Sequence, residues 1–411
     1  MTDTRSGEPQ VYNSRAEARR AREAANRRRR GKGRAVVVLA SLVAVVMICG
    51  IGYFGVKKLF GGPGLPADYA VGEAGPEVVV QVHPGDTAQQ IGAEMLAKDV
   101  VKSSDAFYNA AVRHGSMTSL QPGFYSVESR LPATAAVTAL VNPESRVGAL
   151  VISEGRQLHD TRDVTTGATK NGIYTLISKA SCLPGGAAPK CISAAELEAA
   201  GADSDLSALG VPDWAASQVR DVPDRNRQLE GLIAAGSWDF DPTGSATEIL
   251  QTLVSGSAEK YESTGIRTAG AAVGLQPYQV LVAASLVERE SLPEDFGKVA
   301  RVIINRLAEP QKLEFDSTVN YALDTTEVAT TDADRARVTP WNTYAKDGLP
   351  ATPISSPSIA AVQAVETAPA GDWLYFVTID KQGTTLFTKG YDEHLANIVK
   401  AQGSGILDSG R

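Results

Sequence analysis

From Ala35 to Val56 the chain reads AVVVLASLVAVVMICGIGYFGV, 22 residues without a charged side chain. A helix rises 1.5 Å per residue and crosses a hydrocarbon core of about 30 Å in about 20 residues, so this run is long enough to span a bilayer. A cleaved signal peptide has a shorter apolar stretch (~7–15 residues), a short basic start and a small-residue cleavage site. Here the preceding arm is 34 residues long and no A-x-A site follows. The segment is therefore expected to be an uncleaved anchor. Positive charge close to a spanning helix stays cytoplasmic. The arm around Arg27-Arg28-Arg29-Arg30 thus puts the N-terminus inside and the bulk of the chain outside the plasma membrane.

Charge divides at the same point. Residues 1–34 hold 11 Lys/Arg against 4 Asp/Glu, Lys57 and Lys58 follow the apolar run, and residues 59–411 hold 27 against 43. The formal net charge of −7 thus averages a +7 arm and a −16 body. A uniform cytosolic enzyme does not fit this split. A nucleic-acid binder does not fit either, because the part large enough to fold is acidic. With 43% hydrophobic residues over 411 positions, that part can build real cores in two or three domains.

Cysteine usage suits the outside of a membrane. Cys49 lies in the apolar run as an inert small residue. Cys182 and Cys191 bracket the Gly/Pro-rich stretch SCLPGGAAPKC and are expected to form a local disulfide in an oxidising compartment. His83, His114, His159 and His394 are scattered without metal-ligand spacing, so neither a metal nor a cofactor is expected.

The expected fold class is α+β. Residues 1–34 form the basic arm, 35–56 the transmembrane helix and 57–76 a Gly/Pro-rich linker. Residues 77–145 form a small α/β module: strand Val78–Val82, the turn Pro84-Gly85-Asp86-Thr87 with Asp86 or Thr87 as cap, and two helices, the second around Ala106–Val112. Residues 146–411 form a mixed α+β domain. It starts with a strand over Val147–Ser153 and includes a helix opened by Gln276-Pro277-Tyr278 and stopped before Pro293. A hairpin joins Trp373–Ile379 to Thr384–Thr388, and a last helix begins near Tyr391.

No GxSxG elbow, Walker loop or HExxH occurs. What remains is carboxylate chemistry. On the Gln276 helix Glu290 follows Ala283, Leu286 and Val287 at i−7, i−4 and i−3 and so shares their apolar face. Desolvation favours the protonated form of an acid, which is what a glycosidic oxygen needs as proton donor. Glu288 and Arg289 are expected at the flanks as a solvated pair.

The stretch AASLVERESLPEDFGKVARVIINRLAEPQKLEFDSTVNYAL (Ala283–Leu323) resembles the core signature of the YceG-like family, the endolytic murein transglycosylases. WNTYAKDGLPATPISSPS (Trp341–Ser358) and WLYFVTIDKQGTTLFTKGYDEH (Trp373–His394) fit the same family in the same order, as do the anchor, Ser153-Glu154-Gly155 and Glu230-Gly231. The stretch after Glu230-Gly231, LIAAGSWDFDP, departs from the family's frequent FPDTY character. Strand, PGDT turn and two helices also resemble a LysM-like module, which implies affinity for glycans containing N-acetylglucosamine.

The resemblance implies a peptidoglycan lytic transglycosylase. Such an enzyme cleaves the β-1,4 bond between N-acetylmuramic acid and N-acetylglucosamine in nascent strands and leaves 1,6-anhydro ends. Glu290 maps onto the single catalytic acid. Asp316 in FDSTV, Asn305 and Arg306 in INRL, Asn342 and Tyr344 in WNTY and Gly348-Leu349-Pro350 are the other family-pattern residues. Of these, Asp316, Asn305, Asn342 and Tyr344 are expected at the substrate, and the strip Gly348–Pro357 as a groove wall. The expected partners are peptidoglycan strands, the plasma membrane and neighbouring peptidoglycan synthases. Two alternatives stand beside this reading: a non-catalytic peptidoglycan-binding scaffold of the divisome, and a muramidase that hydrolyses with water.

Overall fold

The computed structural model describes residues 66–164, 166–183, 190–324 and 330–406. The basic arm, the predicted membrane segment and Cys49 lie outside them. Among the described residues the fold is α+β, with 14 α-helices and four small antiparallel sheets. No single helix among them is long and apolar enough to cross a membrane.

The chain first builds a three-stranded sheet from Glu77–Val82, Gly123–Glu128 and Arg146–Val147, with Val80 opposite Tyr125. Helices Ala88–Ala97, Ser104–Ala111 and Ala133–Leu140 complete this part. Their apolar faces meet the sheet in a core that includes Val80, Met95, Phe107, Val127 and Leu140. Thr87 and Gln90 cap the first helix reciprocally. Asp86, the other candidate cap, instead accepts from the His83 backbone N–H at 2.7 Å. The second helix begins at Ser104, earlier than expected, because the Ser103 side chain accepts from the Ala106 N–H. Residues 67–76 hold no helix or strand, yet they are tied down rather than free. Asp68 accepts from the Ala133 N–H at 2.9 Å, and the Gly75 N–H donates to the Ser129 carbonyl at 2.8 Å.

The expected single strand Val147–Ser153 is two strands. Arg146–Val147 pairs with the first sheet, whereas Ala149–Ile152 pairs with Gly236–Asp239. The break is Gly148, which has φ +65° and lies so close to the Phe240 carbonyl that an added Cβ would meet its oxygen at 2.0 Å. Only a residue without Cβ fits this turn. The chain passes there from the first core to the second.

The second core is larger and surrounds the helix Pro277–Glu290. Pro277 sits at its first position and Gln276 and Gln279 close its N-terminus. Tyr278 and every residue from Val280 to Val287 are buried. A helix apolar on all sides belongs inside a core. Helices Phe296–Ala308 and Ile359–Glu366 pack against it. It ends at Glu290, where Ser291 turns extended ahead of Leu292-Pro293. Tyr375–Thr378 and Thr385–Thr388 form the expected hairpin, and Tyr391–Ser404 is the last helix of the described residues. Cys182 and Cys191 are joined as a disulfide.

Gly148→Ala should therefore lose about 2–4 kcal/mol of stability, combining left-handed strain with overpacking. Urea unfolding of the two proteins measures this. An unchanged midpoint would mean that the crossing tolerates a side chain after all.

Candidate active site

Burial sets what the end of the Pro277–Glu290 helix can offer. Val287 is fully buried, and the next three residues are half-buried. Glu288 is not a solvated partner of Arg289. Its Oε2 accepts from the Ser358 N–H at 3.0 Å, at the start of the Ile359–Glu366 helix. A carboxylate there satisfies an otherwise unpaired helix N–H and suits the helix dipole. Glu290 stands at the last helical position, where the core opens.

The Arg306 guanidinium and the Tyr344 phenol lie within electrostatic reach of the Glu290 carboxylate. Arg306 is 6% exposed and has no carboxylate in its hydrogen bonds. Its Nε donates to the Leu374 carbonyl at 2.6 Å, and Nη1 donates to the Leu313 carbonyl at 2.5 Å. Burial holds it below the usual arginine value, while Glu314, Tyr375, Tyr344 and Glu290 oppose that effect. Its cation therefore acts on its surroundings from a site that water does not screen fully.

Tyr344 leads from Glu290 to Asp316. Its hydroxyl donates to Asp316 Oδ1 at 2.8 Å. Burial raises its phenol above the usual tyrosine value, and the Asp316 charge adds to that. Asp316 also accepts from the Thr330 hydroxyl at 2.7 Å and from Arg335 Nε and Nη2 at 3.1 and 3.0 Å. Arg335 further lies over the Tyr344 ring at 5.0 Å. With four donors on one carboxylate, Asp316 is a tie that fixes Tyr344. Sequence reasoning missed Thr330 and Arg335. They lie in the polar stretch TTDADRARVTP, which has no periodicity, and only the tertiary fold brings them to Asp316.

Two expected substrate contacts point elsewhere. Asn342, 1% exposed, donates from Nδ2 to the Arg337 and Arg335 carbonyls at 2.6 and 3.0 Å and accepts from the Tyr344 N–H at 2.9 Å. It shapes the loop that presents Tyr344. Asn305 donates to the Gly371 and Trp373 carbonyls at 3.1 and 2.9 Å and so fixes the approach to the hairpin. The strip after Gly348 is pinned to the buried helix by the Ser285 hydroxyl, which accepts from the Ile354 N–H at 3.0 Å. Gly348, Leu349, Pro350 and Ala351 line one side of a cleft of about 390 Å³, with Tyr278, Gln279 and Val282 opposite.

Beyond Arg306 stands an aromatic group. Tyr375 stacks on His394 at 5.0 Å and meets Tyr391 at 5.4 Å, and Tyr391 is 57% exposed. Burial and then the Arg306 charge hold His394 below the usual histidine value.

Behind the site, Glu230 is completely buried. It accepts from the Leu158 N–H at 3.3 Å and from the Tyr321 hydroxyl at 3.1 Å. It thereby joins the loop after Gly155 to the helix Asp316–Ala322. Burial pushes its carboxyl up to about 7, against the pull of those donors and of Arg227.

Residues 80–400 match the family described as the YceG-like family. A Bacillus subtilis protein named endolytic murein transglycosylase is 24% identical over 325 residues, which is 77% of this chain and 82% of that protein. A Streptococcus pneumoniae protein of the same name is 23% identical over 378 residues, covering 88% of this chain and 64% of that protein. A crystal structure of a yceG-like protein from Listeria monocytogenes is 22% identical with a TM-score of 0.46, over 78% of this chain and 98% of that one.

The raised carboxyl of Glu230 has a consequence for stability. A folded value of about 7, above the ordinary 4.5, means that folding takes up a proton between those limits. This stabilising contribution is complete below the ordinary value and disappears as pH rises through about 7. By pH 8 the wild type should have lost about 3 kcal/mol relative to Glu230→Gln, which cannot ionise. Urea unfolding of both proteins at pH 5 and pH 8 tests this. Parallel pH dependence in the two would contradict the buried acid.

Proposed function

We propose that this chain, which belongs to the YceG-like family, is a membrane-anchored lytic transglycosylase that cuts within nascent peptidoglycan strands. The bond cleaved is the β-1,4 link from N-acetylmuramic acid to N-acetylglucosamine, and the product carries a 1,6-anhydro end. The observation that carries the reading is Glu290 at the open end of a buried helix, with Arg306 and Tyr344 within electrostatic reach of it. The relatives named endolytic murein transglycosylase support the same activity.

The chemistry needs one carboxyl. Glu290 gives its proton to the leaving glycosidic oxygen as the bond to C1 breaks. The substrate's own acetamido group shares the developing positive charge. Glu290, now anionic, takes the proton from the muramyl C6 hydroxyl as that oxygen closes on C1. No water is consumed, and the acid is restored. Arg306 favours the anionic stage, and Tyr344, fixed by Asp316 and Arg335, offers a hydroxyl and a ring face at the reacting sugars. General acid–base catalysis of this kind contributes ~10²–10⁴-fold. Holding a long glycan in place supplies much of the rest.

The anchor over residues 35–56 would keep this chemistry at the outer face of the plasma membrane, beside the synthases, so that cleavage ends growing strands. The module over residues 77–145, read as LysM-like, would add affinity for the glycan.

Full-length protein in detergent is expected to release anhydro-ended muropeptides from uncrosslinked strands, detected by mass. Glu290→Gln should lower kcat by at least ~10²-fold without changing the unfolding midpoint. Reducing ends in the products would identify a muramidase instead. Asp316→Asn bears on the same choice: a large loss of kcat confined to water-dependent products is expected only if Asp316 serves as a second catalytic carboxylate.

A further inference from the structure

Three cations gather beside the end of the Pro277–Glu290 helix. Arg289, Arg156 and Lys170 line one depression together with Gly155, Gln157 and Asn171. Arg289 packs beside Gly155, its Cδ 3.7 Å from where a Cβ of Gly155 would stand. Arg156 donates to the Asn171 carbonyl at 2.8 Å and to the Ser153 hydroxyl at 2.9 Å, both neutral. Its Nε is buried without an acceptor, and so is the Nε of Arg289. Lys170 stands at the rim. Although the residue as a whole is exposed, protein around its ammonium and then the Arg289 and Arg156 charges hold it below the usual lysine value.

Among the described residues Arg156, Lys170 and Arg289 form no ion pair, and several nearby carboxylates are engaged elsewhere. Glu288 accepts from the Ser358 N–H, Asp160 accepts from the Gly172 N–H at 2.6 Å, and Glu198 faces His159 at 3.7 Å. Like charges gathered without a counter-ion repel, and a buried donor without an acceptor costs stability. An oxyanion in the depression would offset the repulsion among the three cations. The depression is small, so it suits the tip of a carboxylate or phosphate better than a sugar ring.

Glycan sugars in a nascent strand are neutral. Their negative charge lies on the carboxylates of the stem peptide, attached at the muramyl lactyl group, and on the diphosphate that joins a strand to its lipid. We propose that Arg156, Lys170 and Arg289 form an oxyanion subsite beside Glu290, which grips one of these anionic groups and so sets where along the strand the acid acts. This rests on the reading of the chain as a peptidoglycan-cleaving enzyme.

The test uses full-length protein in detergent and three probes: strands bearing stem peptides, the same strands stripped of peptide by an amidase with the freed lactyl carboxylates capped as methyl amides, and such stripped and capped strands ending in a polyprenyl diphosphate. Binding is measured with the Glu290→Gln protein and KM with the active one. Lys170→Ala removes an exposed side chain, and Arg156→Lys keeps a charge while losing the planar donors. Losing one charge-assisted contact should weaken binding of stem-bearing strands roughly tenfold and leave stripped strands unchanged. A loss confined to the diphosphate-ended strands supports the subsite with the lipid-linked group as its occupant. Equal weakening on all three probes, or no weakening on any, overturns it. If the wild type cleaves none of the probes, the functional reading fails, while the binding comparison still decides whether the oxyanion subsite exists.

Discussion

Everything at this site depends on burying one helix on every face. Tyr278 and Val280–Val287 leave the helix Pro277–Glu290 no solvated side until its last turn. Such burial fixes the helix along its axis and about it, because a close-packed core tolerates no rotation. The single place where the sequence turns polar, Glu288-Arg289-Glu290, is therefore held in space by the apolar residues before it. Ser285 and Glu288 extend this order outward, one by tying down Ile354 and the other by capping the next helix.

Around that fixed end the fold treats its carboxyls differently. Asp316 receives four donors and holds Tyr344 and Arg335 in one arrangement. Glu230 receives few and is buried completely, which keeps its proton near neutral pH. Glu290 is half-buried, beside a cation that has no carboxylate in its hydrogen bonds. The proposed reaction asks this one carboxyl to give up a proton and then take one back.

The helix was legible because its signals are local: a proline at its start, an unbroken apolar run and a proline beyond its end. The hairpin and the tight disulfide loop were legible for similar reasons. Glu290 itself stood out through the family resemblance, since Glu-Arg-Glu at a helix end reads as surface charge by spacing alone. The misreadings share a cause. Val147–Ser153 has the composition of one strand, but Phe240, some 90 residues later, forces the break at Gly148. Asn342 is a polar residue beside Trp341, which suggests a sugar contact until tertiary packing buries it against three backbone carbonyls. Arg335 and Thr330 find Asp316 only through the fold. In each case the deciding partner is remote in sequence.

The charge split takes on a local meaning at the same helix end. A body of formal charge −16 should repel an anionic strand at long range. At physiological ionic strength, however, charges more than about 8 Å apart are largely screened, so the overall balance matters little once a strand has arrived. What a strand bound there as proposed would meet is the immediate field of Arg156, Lys170 and Arg289 and that of Arg306. Cations without carboxylate hydrogen bonds are therefore concentrated near the end of the Pro277–Glu290 helix, inside a body whose charge is otherwise of the opposite sign.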